Sequence, residues 1–132
     1  MTVRFYTIGY AGRTADDLEA ILKREDGALL DIRISPRSRK PGFNKSQLEK
    51  RFGEDYLWVV EFGNNSSDGG IELADPDFGL DLIKSIYDDS VEDNWNGAVF
   101  LMCACADPST CHRTTVAALL REHGYEVTEY PG

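Results

Sequence analysis

The sequence predicts an α/β domain, a three-layer, mostly parallel sheet of about five strands with helices on both faces. Two observations carry this. Short runs rich in β-branched and aromatic residues alternate with segments whose apolar residues recur at i, i+3 and i+4, the pattern of successive βα units. One run, Ala98 to Cys103 (AVFLMC), is apolar at every position, as a strand covered on both faces should be.

Each element has its own local reason. Val3 to Ile8 reads as the first strand, stopped at Gly9 and followed by a turn over Tyr10–Gly12. Thr14 and Asp17 form a T-x-x-D capping box, and Leu18, Ile21 and Leu22 then share one helical face. After Gly27, Ala28 to Ile34 (ALLDIRI) is a second strand that places Asp31 and Arg33 on the same face and ends near Ser35, because Pro36 cannot continue a central ladder. A loop over 36–43, rich in Pro, Arg, Lys and Gly, leads to Asn44 and Gln47, a second capping box for a helix through Phe52.

Tyr56 to Glu61 is the third strand. Gly63 to Asp77 reads as a long irregular loop, of the kind that is usually functional or mobile, and is expected to be the least ordered part. Phe78 to Tyr87 carries Leu82, Ile83 and Ile86 at helical spacing, ahead of an acidic connection. After the strand at 98–103 come a loop to Cys111, a helix from about Arg113 to His123 ended by Gly124, and a last strand over Tyr125–Tyr130. Nothing repeats, and the 132 residues read as one domain, 1–132.

With 14 basic and 23 acidic residues the net charge is −9, which argues against coating nucleic acid or an anionic membrane with the whole surface. The charge is unevenly placed. Between Ile32 and Leu48 stand five cations (Arg33, Arg37, Arg39, Lys40, Lys45) and no acid, so the remainder, with 9 basic and 23 acidic residues, carries −14. Arginines beside a strand end suit a phosphate or carboxylate bound at two points, although cations there could equally keep a loop solvated. Arg33, two residues after Asp31, could instead make a structural pair with it.

No run of 18 apolar residues occurs, and Met1–Tyr10 does not read as a signal peptide, so a cytoplasmic chain without a membrane span is expected. Three cysteines within nine positions suit reduced thiols better than a disulfide framework. Cys111, next to His112 and Arg113 at a helix start, is the best nucleophile candidate, since such a setting favours thiolate. The alternatives are helix capping for Cys111 and His112, simple burial for Cys103 and a helix-dipole contact for His123. Zinc is not expected, because C-x-C lacks the usual two-residue spacer and adjacent Cys111 and His112 are awkward ligands for one ion. No cofactor is implied.

Taken together, Thr7-Ile8-Gly9-Tyr10 with Arg13-Thr14, Asp31-Ile32-Arg33 before Pro36-Arg37-Ser38-Arg39, Phe43 with Lys45 and Leu48, Tyr56 and Glu61 before Gly63, and Cys103-Ala104 with Pro108 and Cys111-His112-Arg113 resemble the DUF488 family, small α/β proteins named as a domain of unknown function. The motifs run in the same order over nearly the whole chain. Family members commonly have Asn in place of Gly12, Gly in place of Asn64 and a polar or charged residue in place of Cys105. The resemblance implies a fold and a pocket near these motifs, and no settled reaction.

Ligands in open α/β sheets collect at the carboxyl ends of strands. The leading expectation is a small anionic ligand, phosphorylated or nucleotide-like, held by Gly9, Tyr10, Arg13, Arg33, Arg37, Arg39 and Arg113. Nucleic acid is possible as a partner but disfavoured by the net charge. In an enzyme version Cys111 is the nucleophile or His112 the acid/base, with Asp31 or Glu61 as the proton-transferring or orienting carboxylate. A third class is a non-catalytic interaction domain with an acidic surface.

Overall fold

The computed structural model describes residues 2–105 and 107–131. Among them, five strands form one all-parallel sheet in the order β3-β2-β4-β1-β5: β1 (Arg4–Gly9), β2 (Gly27–Asp31), β3 (Tyr56–Trp58), β4 (Ala98–Cys103) and β5 (Val127–Glu129). Four helices connect them, α1 (Ala15–Glu25), α2 (Lys45–Phe52), α3 (Pro76–Glu92) and α4 (His112–Glu122).

The alternation of side chains along β4 divides the core in two. Ala98, Phe100 and Met102 face α1 and α2 with Ile8, Leu18, Ile21, Leu22, Leu29 and Leu48. Val99, Leu101 and Cys103 face α3 and α4 with Phe5, Leu30, Ile83, Val116 and Leu120. All six β4 residues are buried, as an unbroken apolar run requires. Helices therefore cover both faces of the sheet. Among the described residues no helix is long and apolar enough to cross a membrane.

Both capping signals operate. Thr14 Oγ1 accepts from Asp17 N–H at 3.0 Å and Asp17 Oδ2 accepts from Thr14 N–H at 2.8 Å. At α2 the Gln47 side-chain oxygen accepts from Asn44 N–H at 3.2 Å, while Asn44 Oδ1 accepts from Ser38 N–H at 2.7 Å and ties the cationic loop to the helix start. Gly124, at φ 91°, occupies the left-handed conformation just past α4.

Several boundaries differ from the sequence-based expectation. The second strand stops at Asp31 rather than near Ser35, because Arg33 turns back on Asp31: its backbone N–H reaches Asp31 Oδ1 at 3.2 Å and pulls the chain off the ladder. The third strand ends at Trp58, and 60–62 form a single 3-10 turn. The third helix runs seventeen residues to Glu92, well beyond Tyr87. Its acidic extension turns Asp88 and Asp89 to solvent while Ser90 is buried and donates to Tyr87 O at 2.6 Å. The last strand shrinks to three residues. The segment 63–75 is irregular and is held by an antiparallel bridge between Asn64 and Leu73 and by Asp75 N–H donating to Glu61 O at 2.9 Å.

Because β2, β4 and β1 are neighbours and all parallel, the segments that follow Gly9, Asp31 and Cys103 leave the same end of the sheet. This is the end where helix starts and strand ends meet.

Candidate functional site

The candidate residues at this end fall into three separate groups. The first is a buried polar hub. Asp31, fully buried, accepts from Arg33 Nε at 2.7 Å, Arg33 Nη2 at 2.6 Å and the Tyr56 hydroxyl at 2.6 Å. Arg33 Nη1 donates to the Tyr10 hydroxyl at 3.3 Å, and the guanidinium lies 5.5 Å from the Tyr10 ring centroid. Tyr10 is itself stacked on Phe43 at 4.2 Å. All three guanidinium nitrogens of Arg33 are thus committed inside the fold, in the structural pair that the Asp31-Ile32-Arg33 spacing allows.

Burial pushes the Tyr56 hydroxyl well above its ordinary range, and its donation to the Asp31 carboxylate and the Asp31 charge push it further. A raised folded-state value means that the protonated phenol supports the fold fully below the unfolded value of about 10 and loses that support as pH climbs beyond it. Urea midpoints followed from neutral to strongly alkaline pH should therefore fall more steeply above about pH 10 in the wild type than in Tyr56→Phe. At neutral pH that variant should lose about 1.5–3 kcal/mol, the range for a hydrogen bond to a charged group. Parallel alkaline limbs would show that Tyr56 does not donate to Asp31.

The second group surrounds the cysteines. Cys111 caps α4, and Cys103 ends β4; both are buried, with 2% and 1% of their surface exposed. The His112 ring is fixed by its Nε2, which donates to Ile32 O at 2.6 Å, since a carbonyl oxygen can only accept. This leaves Nδ1 facing Cys111 Sγ at 3.9 Å. Donation from the Cys103 thiol, then from His112 and the Arg113 backbone N–H, holds Cys111 far below the ordinary thiol range, while the same bond to Cys111, with burial, pushes Cys103 up. His112 is raised in spite of its burial, by Cys111 and the Ile32 carbonyl.

Arg113, 1% exposed, donates Nε to Glu129 Oε1 at 2.9 Å, Nη2 to Glu129 Oε2 at 3.0 Å, and Nη1 to Cys105 O at 2.6 Å and to Cys103 Sγ at 3.1 Å. It holds the loop after β4 against β5. Gly9 packs beneath it, and Arg13 donates Nε to Gly9 O at 3.1 Å and lies 6.0 Å from the Tyr130 ring. Glu61, half-buried on the 60–62 turn, makes no side-chain bond to any of these residues. The sequence readings that singled out Asp31, Arg33 and Arg113 named Tyr10 and Tyr56 without pairing them to these residues and did not single out Glu129.

The third group lines an open groove of about 880 Å³ formed by the 34–39 loop, the first turn of α2 and Trp58. Arg37 and Arg39 are exposed there, and neither side chain makes a hydrogen bond or ion pair among the described residues. Lys45 also lines it, 3.1 Å from Glu49 and 6.0 Å from the Trp58 ring. Trp58 Nε1 donates to Arg33 O at 2.8 Å, which anchors the indole beside the cations. Cys111, His112, Arg13 and Arg113 are not among the groove residues. Of the seven proposed ligand-binding residues, then, only Arg37 and Arg39 meet in one open site. Trp58 was missed as a site residue because it reads as an ordinary strand aromatic. The register that pairs Asp31 with Trp58 brings it to the loop.

The family model of a domain of unknown function, DUF488, matches residues 17–120 of the 132-residue chain. The chain belongs to the DUF488 family. No curated protein and no solved structure matches it. The stretch matched in this DUF488 protein takes in the hub at 31–33, the groove and the Cys103–Arg113 motif, and leaves the Gly9–Arg13 turn outside.

Proposed function

We propose that this DUF488 protein binds a small phosphorylated or nucleotide-like anion in the groove beside Arg37 and Arg39. The observation that carries the reading is that these two guanidiniums stand exposed and, among the described residues, unpaired in one concavity, in a chain whose other seven arginines are engaged on acids, carbonyls or hydroxyls. Two forks and a nearby ammonium suit phosphate oxygens, and the half-buried Trp58 indole offers a flat face for a base or sugar ring. The first turn of α2 contains no acid, so its dipole favours an anion at the groove. The −14 carried by the rest of the chain opposes a long polyanion and matters less to a small ligand inside a local positive field. Three free thiols fit a reducing, cytoplasmic setting.

The test is a thermal-shift and Trp58-fluorescence titration with nucleotides, phosphosugars and inorganic phosphate. Ligand at 100 times its Kd should add about 2.7 kcal/mol of stability. Arg37→Ala or Arg39→Ala should each weaken binding about tenfold or more, since a charge-assisted bond contributes about 1.5–3 kcal/mol. No shift with any of these anions, or equal shifts in the double variant, overturns the reading.

A second reading, in which Cys111 attacks such a ligand with His112 as acid/base, is favoured by the Sγ–Nδ1 approach of 3.9 Å. It is the weaker of the two, since Cys111 is buried and lies outside the groove lining. Protection of Cys111 from alkylation by a bound nucleotide would support it.

A further inference from the structure

We propose that Cys103, Cys111 and His112 bind a soft divalent transition-metal ion of the zinc class, with the Cys105 thiolate completing the set. The inference is independent of the anion groove. It rests first on convergence. One donor atom from each of the three residues lies within 4.8 Å of the other two, although Cys111 and His112 are adjacent in sequence. A point equidistant from three atoms 4.8 Å apart lies about 2.8 Å from each, roughly 0.5 Å beyond a zinc–sulfur bond of about 2.3 Å, so modest side-chain adjustment closes the site. The spacing argument against a shared ligand set fails because Cys111 is extended at the cap while His112 begins the helix, which lets the neighbouring side chains turn to one point.

The second observation is the histidine's orientation. With Nε2 donating to Ile32 O, Nδ1 is the atom left for the metal, and a carbonyl on the far nitrogen is the usual outer partner that fixes a metal-binding imidazole. The third is Cys105. It is a free, exposed thiol two residues beyond Cys103, on the loop whose Cys105 carbonyl Arg113 Nη1 holds at 2.6 Å, so a fourth thiol stands near the cluster on the exposed side. The fourth is charge. One divalent ion and three thiolates sum to −1, and Arg113 Nη1, 3.1 Å from Cys103 Sγ, donates a charge-assisted bond to that sulfur while Nε and Nη2 hold Glu129. On binding, every proton carried by the three cysteine sulfurs and by His112 Nδ1 is released to solvent, so that three thiolates and a neutral imidazole ligate the ion and no electrons are transferred. A set of four protein donors is a closed site, which stabilises structure rather than activating water. Here it would join the end of β4 to the start of α4 and, through Ile32, to the chain leaving β2.

The full chain, purified under reductant and stripped with chelator, should be titrated with cobalt(II). One equivalent should give the charge-transfer bands of cobalt–thiolate bonds together with the intense d–d bands of a tetrahedral ion, and one equivalent of zinc should erase both. Cys103→Ser and Cys111→Ser should each weaken binding roughly a hundredfold or more, and His112→Asn by tenfold or more. Cys105→Ser, at an exposed position, should fold normally, keep a cobalt complex and lose part of the charge-transfer intensity. If the buried variants fail to fold, the wild type still decides: zinc should shield its three thiols from a thiol reagent in proportion to zinc bound. The proposal is overturned if the folded, reduced chain gives no tetrahedral cobalt spectrum at one equivalent. It is also overturned if zinc leaves thiol reactivity unchanged, or if Cys105→Ser has the wild-type spectrum.

Discussion

Replacing Arg33 with alanine is expected to destabilise the fold by about 3–5 kcal/mol, the cost of leaving a buried carboxylate without its cation. Asp31 has no exposed surface, and after the substitution it would keep the Tyr56 hydroxyl and the backbone N–H of residue 33 but no cation. Urea unfolding should show the loss as a lower midpoint at an unchanged slope. The size of the effect does not mean that the pair contributes that much net stability. Much of it is the desolvation of Asp31, so removing the second charge should restore part of what the first removal lost. Asp31→Leu combined with Arg33→Met should be markedly more stable than Arg33→Ala alone, with a coupling energy above about 1 kcal/mol. A loss below about 1 kcal/mol in Arg33→Ala would mean that Asp31 is not held as an ionised partner.

The same comparison separates a structural role from a ligand-binding one. Arg33 lies one residue from Ile34 on the groove wall, yet its guanidinium points into the hub. The uncharged Asp31→Leu, Arg33→Met double variant should still bind the groove anion, whereas Arg37→Ala with Arg39→Ala should abolish binding at wild-type stability. Surface arginines without partners contribute little to folding.

What could be read from the sequence followed local rules. The β4 run, the Thr14 capping box, the Asp31–Arg33 same-face spacing and the Gly124 stop are each fixed by a few neighbouring residues, and each is present. The boundaries that moved depend on something outside the segment. The second strand ends early because a side chain competes for the backbone, and α3 extends because its acidic residues lie on the exposed side, where Asp88 also pairs with Lys84. The candidate site shows the same division. Counting charge along 32–48 finds five cations, but whether an arginine turns inward or outward is decided by what the fold places opposite it. Arg33 meets Asp31 and Tyr10, while Arg37 and Arg39 meet solvent. Trp58 enters the groove through strand register, and Glu129 reaches Arg113 because β5 pairs with β1. No window of sequence contains either contact.

Gly9→Ala is expected to cost about 3 kcal/mol, at the upper end for over-packing, and to open the cysteine cluster as it does so. Gly9 lies opposite Cys103 in the sheet register, and its side-chain space is already filled. A methyl group there would overlap the Cys105 carbonyl oxygen and approach Arg113 Nη1 to 2.8 Å and Cζ to 3.1 Å. The carbonyl belongs to the backbone and cannot swing aside alone. Moving it breaks the 2.6 Å bond from Arg113 Nη1 and draws the guanidinium from Cys103 Sγ. Gly12 provides the contrast: at φ 81° with nothing within 4 Å of its added methyl, Gly12→Ala should lose about 1–2 kcal/mol from the left-handed backbone alone. The two variants should therefore differ less in stability than in chemistry. Under native, reducing conditions Cys103 and Cys111 should react with a thiol reagent many times faster in Gly9→Ala, and at the wild-type rate in Gly12→Ala. If Gly9→Ala keeps both its urea midpoint and its protected thiols, the close approach of the two loops does not hold the cluster together.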